Sequence, residues 1–469
     1  MRRLSGQDGG FLSLELPEQP MQTMVLAKLA PGRSAPLTTG EVASLLAARL
    51  DLLPAFRLRV VGVPLGISHP VFVEDGGFDV AQHVRHAVVA EPGGDGELDR
   101  LCAELAARPL DRSRPLWQIT LVDGLARARQ GLVLEIHHAL MDGFATLTTL
   151  ARIFSEPPSP DAVVWRPERV PNRLRLLGGG VWHQTRTLSR FPKLVALTNR
   201  RLGAVKERRA TSDVAPPEAG VDTPLSAINQ GFTAERRYAR TSLSLEDVLL
   251  VKKAAGVTVN DVALAVVAGA LRSYLEARGE LPDRPLVASV PVALEGPAAA
   301  PRAVGNRFSR LVTSLATDVA DPWERLLTIS AVTHRAKEYL DLTGPELLPA
   351  WLEHAPPILA GPGVRRGQAA RRTPGKAPSK LDANVVISNV RGPSAPWHFG
   401  AAEVEEMYLS GPPNSGAGAT FVVWDYAGRL LLAIMAFADS IDDPGELAAG
   451  LRCCLAELVQ VAEGLAASI

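Results

Sequence analysis

Neither sign of charge prevails in this chain: 50 Lys and Arg stand against 50 Asp and Glu over 469 residues. Such a neutral balance carries no electrostatic footprint for nucleic acid, and none is expected as a partner. Cysteine is scarce, with Cys102, Cys453 and Cys454 alone. Adjacent cysteines rarely bond each other and three make no disulfide framework, which points to a reducing compartment. Long apolar runs are missing too. The longest uncharged one, Val262 to Leu271, falls well short of the roughly 18 residues of a spanning helix. Arg2 and Arg3 precede no apolar core of signal-peptide length, so a cytoplasmic location is expected. An HExxH helix and a GxSxG elbow are both absent. The familiar zinc-hydrolase and serine-nucleophile signatures therefore have no purchase on the sequence.

What is present reads as alternating strands and helices. The length exceeds one compact core and suggests two domains. Residues 20–30 form an apolar strand, and residues 40–53 an amphipathic helix with Val42, Leu45, Leu46, Leu50 and Leu53 at helical spacing. A second helix covers 97–108, and strands cover 117–123 and 131–136. After Gly143, the residues Phe144, Leu147, Leu150 and Phe154 share one helical face. Further on come helices at 245–254, 259–277 and 444–466 and strands at 286–292, 306–315 and 383–388. Residues 420–437 form a hairpin turning at Ala427-Gly428. Asn260 and Asp261 stand at the start of the 259–277 helix, where short polar side chains cap free N–H groups. Residues 361–380, rich in Gly, Pro and Arg, read as a loop. The expectation is an α/β (α+β layered) chain. Its divisions are a first domain at 1–160, a crossover at 161–222 and a second domain at 223–469.

The crossover opens with a Pro-rich linker at 155–160 and then turns basic. Between Arg166 and Arg209 twelve Lys and Arg face only Glu168 and Glu207, with Trp165, Leu174, Trp182, Phe191 and other apolar residues interleaved. Two readings fit. It is a solvated helical crossover whose arginine stems cover apolar surface, or a basic amphipathic segment that lies on an anionic membrane. On the second reading Arg200, Arg201, Arg208 and Arg209 are the cations to neutralise in a test.

The most specific feature is His137-His138-Ala139-Leu140-Met141-Asp142-Gly143. The preceding strand runs straight into His137, so the pair sits on a strand-to-helix corner, where exposed chemistry is carried on a rigid frame. Adjacent residues at a strand end point to opposite faces and cannot easily chelate one ion, so no metal is expected. A purely structural corner remains an alternative. In the catalytic reading His138 reaches a cavity as a base while His137 packs; an imidazole takes a proton from an alcohol and returns it to a leaving thiolate. Asp142 reads as a brace paired with an arginine rather than as an orienter of His138. Gly143 leaves room at the bend.

HHxxxDG resembles the signature of the CoA-dependent acyltransferase superfamily. More closely, the chain is similar to bacterial wax ester synthase/diacylglycerol acyltransferases, almost end to end. LSGQDGGFLSLELPEQPMQ resembles that family's N-terminal segment, Pro115-Leu116-Trp117 its PLW motif and Asn260-Asp261 its ND motif. Gly305-Asn306 resembles its Gly-Asn motif, and Ser388-Asn389-Val390-Arg391-Gly392-Pro393 its SNVPGP stretch. The resemblance implies two chloramphenicol-acetyltransferase-like domains with a tunnel between them. Acyl-CoA would be a substrate, with no cofactor, and diacylglycerol or a long-chain alcohol the acceptor. His138 would be the base, with His137, Asp142 and Gly143 in support. Pro115, Leu116, Trp117, Asn260, Asp261, Asn306 and Ser388 would be structural or tunnel-lining, and Asn389 a candidate oxyanion donor. Peripheral contact with the inner membrane or lipid droplets would suit such substrates. Arg391, where the family commonly has proline, and residues 411–418 depart from its pattern. The acceptor stays open: a polyketide or sugar hydroxyl and a non-catalytic lipid binder remain alternatives.

Overall fold

Two six-stranded sheets and a small three-stranded one carry the fold. The computed structural model describes all residues except 32–35, 156–168, 230–232, 297–298, 372–379, 414–415 and 468–469. Most of the linker expected at 155–160 thus lies outside the described residues.

The first sheet runs His398–Phe399, Ala402–Ser410, Gln22–Leu29, Arg129–His137, Trp117–Leu125, Val84–Val88. The second runs Phe308–Ser314, Val287–Ala293, Val385–Val390, Ala419–Tyr426, Arg429–Phe437, Arg236–Ser244. Domain limits drawn in chain order miss one exchange. Strand Ala402–Ser410 comes from the C-terminal half, yet pairs antiparallel with Gln22–Leu29 in the first sheet.

The hairpin Ala419–Tyr426 and Arg429–Phe437 shows why its sequence is apolar at almost every position. Phe421, Val423, Leu432 and Ile434 pack in the second core, while Val422, Trp424, Leu431 and Ala433 pack in the first. A strand buried on both faces loses the alternation of a half-exposed one. Ala427 and Gly428 make the turn with φ of 48° and 79°, as a type I′ hairpin turn requires. Helices Val259–Glu276 and Pro444–Ala466 close the outer side of this sheet.

Three local expectations need correction. Helix Thr39–Ala47 stops short of residue 53, giving way to turns before Leu53-Pro54, where proline disfavours a helical predecessor. Helix Val259–Glu276 is capped by Thr258, with Asp261 closing a capping box; Asn260 lies inside the first turn. Residues 361–371, read as loop, continue a helix Pro357–Arg371 despite Pro362. Its packing on helix Gly6–Leu14 and on turn Pro64–Gly66 offsets the missing proline N–H. Helix Gly6–Leu14 itself has no periodic apolar stripe; Ser5 and Asp8 form its capping box.

The halves are riveted at Arg240, whose side chain is 4% exposed and bonds Asp95 at 2.6 Å and Asp99 at 2.8 Å across the seam. Its guanidinium also lies 5.1 Å from the Tyr408 ring centre on the exchanged strand. Removing Arg240 leaves the largely buried Asp99 carboxylate without its partner, while Asp95 is exposed and keeps Lys28 at 3.2 Å. Arg240→Ala is therefore expected to cost about 3–5 kcal/mol in urea unfolding; a midpoint unchanged from wild type would show that the seam does not depend on it.

Candidate active site

The histidine corner is fixed by backbone before any side chain acts. The His137 N–H donates to Leu116 O at 2.9 Å and the His138 N–H to Met21 O at 2.7 Å. Leu116 is fixed in turn by its neighbour. Trp117 donates to Phe56 O at 2.8 Å and stacks between Phe56 and His83, at 4.1 and 4.5 Å. Buried Pro115, Leu116 and Trp117 thus form the wall behind the corner.

The two histidines diverge. His137 is fully buried, and its Nδ1 accepts the Ala139 N–H at 3.0 Å. That leaves the hydrogen on Nε2, which lies 3.3 Å from the Glu15 carboxylate without hydrogen-bond alignment. Burial alone would raise the Glu15 carboxyl, but His137 and Arg112 outweigh it and hold it at about 2. His138 is only half-buried and turns toward the second half of the chain. Phe11 stacks on it at 3.9 Å and 8°, and Phe308 tilts against it at 6.3 Å. These apolar neighbours desolvate the ring and lower its pKa below the ordinary imidazole value.

Asn306 decides the tautomer of His138. Its Nδ2 donates to Asp8 Oδ1 at 2.8 Å and to the His138 carbonyl at 2.7 Å, using both amide hydrogens. Its Oδ1, 3.2 Å from His138 Nδ1, can then only accept. The hydrogen therefore sits on Nδ1, and Nε2 keeps a lone pair. Asp8 also accepts the Asn306 backbone N–H at 2.8 Å, and burial pushes its carboxyl up against the pull of the N–H groups around it.

Asp142 does not meet His138. It caps helix Gly143–Phe154 by accepting the Ala145 N–H at 3.0 Å, and its other oxygen takes Arg302 Nη2 and the Arg307 N–H, each at 2.7 Å. Arg302 is held in turn by Glu295 at 2.8 Å. A Cβ at Gly143 would come within 3.3 Å of Val390 Cγ2, a tight contact that the valine would have to relieve by a small shift. Ser388 and Asn389 lie beside Val422 and Val423 on parallel strands. Val422 packs in the first core and Val423 in the second. Strand alternation thus puts Ser388 and Val390 on the face toward His138 and turns Asn389 away, contrary to the role of oxyanion donor. Asn260 and Asp261 serve the start of helix Val259–Glu276; Asp261 bonds Thr258 and Ser330 rather than the histidine pair. Among the described residues no group of three or more His, Cys, Asp and Glu is placed to hold a metal.

Sequence reasoning missed Asp8, Phe11, Glu15 and Arg302. The first had a local signal, Ser5-x-x-Asp8, a capping-box spacing; the others had none outside the family resemblance.

Residues 4–263 match the wax ester synthase/diacylglycerol acyltransferase catalytic domain and residues 304–458 the C-terminal domain of that family. A Mycobacterium tuberculosis protein provisionally named a diacylglycerol O-acyltransferase is 34% identical, over 100% of this chain and 97% of its own length. A second from the same species, so named, is 35% identical over 99% and 98%. The wax ester synthase/diacylglycerol acyltransferase from Marinobacter aquaeolei VT8 superposes with a TM-score of 0.68 at 26% identity, over 99% of this chain and 100% of that one. The first condensation domain of the CDA synthetase shares the fold at 16% identity and a TM-score of 0.56, over 98% and 96% of the two chains. The chain belongs to the wax ester synthase/diacylglycerol acyltransferase family and is an acyltransferase.

Proposed function

We propose that the chain moves a long-chain acyl group from coenzyme A to the hydroxyl of diacylglycerol, of a fatty alcohol, or of both, with His138 as general base. The observation that carries this reading is the bond from His138 Nδ1 to Asn306 Oδ1, which leaves Nε2 free to take a proton. As Nε2 removes the alcohol proton, the oxygen attacks the thioester carbonyl. Collapse of the tetrahedral adduct breaks the C–S bond, and the imidazolium returns its proton to the thiolate. Coenzyme A enters as part of a substrate, and the scheme calls for no cofactor.

The remaining site residues act as supports in this scheme. His137 and Glu15 anchor the strand end, Asp142 ties the corner to Arg302, Gly143 admits Val390, and Pro115 to Trp117 back the corner. We take residues 1–160 and 223–469 as the two acyltransferase-like domains, joined by 161–222 and by the exchanged strand, with the substrates meeting in a tunnel between them. No single helix among the described residues is long and apolar enough to cross a membrane, and lipid substrates favour peripheral contact with a membrane or droplet.

Labelled palmitoyl-CoA offered with diacylglycerol or hexadecanol is expected to yield ester on thin-layer chromatography. His138→Ala should lower kcat by about a hundred- to ten-thousand-fold in a folded protein; ester from neither acceptor, or a variant equal to wild type, would contradict the proposal. Asp142→Asn turns an amide N–H toward the Arg302 and Arg307 donors, and should lose roughly 1–3 kcal/mol of stability in urea. A variant that keeps wild-type stability but loses turnover would make Asp142 a chemical participant instead. The base must be neutral to act and burial lowers its pKa. The acid limb of kcat/KM should therefore have its midpoint below the ordinary value of about 6.5; a midpoint above it would refute this.

A further inference from the structure

The basic stretch folds as two helices, Arg173–Leu188 and Phe191–Ala210. The first has two apolar faces, and only one of them packs. Leu176, Gly180 and Thr187 turn inward. A Cβ at Gly180 would come within 2.8 Å of Val63 and 3.4 Å of Ile67, so the helix presses on both flanks of the turn Pro64–Gly66. Leu174, Val181 and Leu188, seven residues apart, form a stripe on the outer side and are 78%, 52% and 52% exposed, with Trp182 beside them at 71%. Residues at that spacing share a helix face.

The turn adds to this surface. Leu65 at its tip is 77% exposed and holds a φ of 62°, a left-handed backbone that a leucine rarely adopts. Across the turn, Gly66 abuts Pro357 and the Ile358 N–H, and Leu359 of that helix is 67% exposed. An apolar projection of this kind on a charged protein marks an interaction surface.

Its charge selects the partner. Arg173, Arg175, Arg186 and Arg190 are exposed and have no carboxylate partner among the described residues. In contrast, Arg208 is paired with Glu338, while Arg201 and Arg209 bond the carbonyls of Thr343 and Pro216. Three of the four cations singled out from the sequence are thus engaged internally; the fourth, Arg200, is exposed on the second helix, and Arg173, Arg175 and Arg186 stand exposed on the first. A second copy docked on the same face would oppose arginine with arginine, whereas an anionic headgroup layer complements them.

We propose that the outer face of helix Arg173–Leu188, with Leu65 and Leu359, docks on an anionic phospholipid bilayer, the phase from which the lipid acceptors of the proposed reaction would be drawn. The apolar side chains enter the headgroup boundary and the arginines meet the phosphates, in the manner of an interfacial helix. This deepens the acyl-transfer reading but is measured apart from turnover.

The test is co-sedimentation of the full chain with vesicles of phosphatidylcholine alone or mixed with phosphatidylglycerol. Wild type and His138→Ala should bind the mixed vesicles equally, and binding should weaken when salt rises from about 0.1 M to about 0.5 M. Leu65→Glu with Trp182→Glu should weaken binding about ten-fold or more, and Arg175→Glu with Arg186→Glu should abolish the preference for phosphatidylglycerol. All four sites are exposed or part-exposed, so unchanged circular dichroism and melting should accompany the loss. Binding of either double variant within about two-fold of wild type would overturn the proposal, as would no preference for the anionic vesicles. A wild-type dimer that Trp182→Glu converts to monomer would give the surface to a second copy and overturn it too. Anionic binding retained by a chain that forms no ester would uphold this surface while the acyl-transfer reading falls. Ester formed in detergent by a chain that ignores vesicles would do the reverse.

Discussion

One side-chain amide orders the site. Asn306 uses its two N–H groups on Asp8 and the His138 carbonyl and its oxygen on His138 Nδ1. The amide cannot flip without setting its oxygen against two acceptors, the Asp8 carboxylate and the His138 carbonyl, so the imidazole is held in one tautomer. Because Asp8 belongs to the N-terminal helix, His138 follows a strand of the first sheet and Asn306 lies in the segment before strand Phe308–Ser314, the tautomer that the proposed mechanism uses exists only when three distant pieces of chain are docked. Burial works in the same direction. Phe11 and Phe308 desolvate the ring, which keeps it neutral, while the two hydrogen bonds of Asn306 keep it in place.

Asp142 and Arg302 do for the backbone what Asn306 does for the ring. The carboxylate caps its own helix and grips residues of the second half. In the proposed mechanism the HHxxxDG spacing therefore combines two jobs: a base at the strand end and, four residues on, a clamp at the helix start. Arg240 at the far seam extends the same logic. The proposed chemistry sits where the two halves meet, and polar pairs set that meeting.

Much of this was legible in the sequence because it was local. The strand into His137, the helix after Gly143 and the hairpin turn at Ala427-Gly428 follow from periodicity and turn chemistry, and the motif itself singled out His138. What was not legible is long-range or weakly patterned. Helix Gly6–Leu14 carries Gly6, Gly9 and Gly10 and no apolar stripe, yet it supplies Asp8 and Phe11. Asn306 lies 168 residues from His138, and nothing in either neighbourhood announces their contact. Asn389 was misplaced because its side depends on strand register, not composition. Strand Ala402–Ser410 is not among the strands read from the sequence, and its partner in the other half is set by topology. The basic stretch was seen as one segment; only the fold separates its engaged cations from its free ones.

The protonation of His138 tests the site most directly. Nitrogen-15 spectra of histidine-labelled protein, with the His138 signals assigned by their loss in His138→Gln, report each ring nitrogen. At neutral pH Nδ1 should show a bonded hydrogen and Nε2 a non-protonated, pyridine-like shift. A hydrogen on Nε2, or an imidazolium at neutral pH, would contradict the assignment of Nε2 as the base.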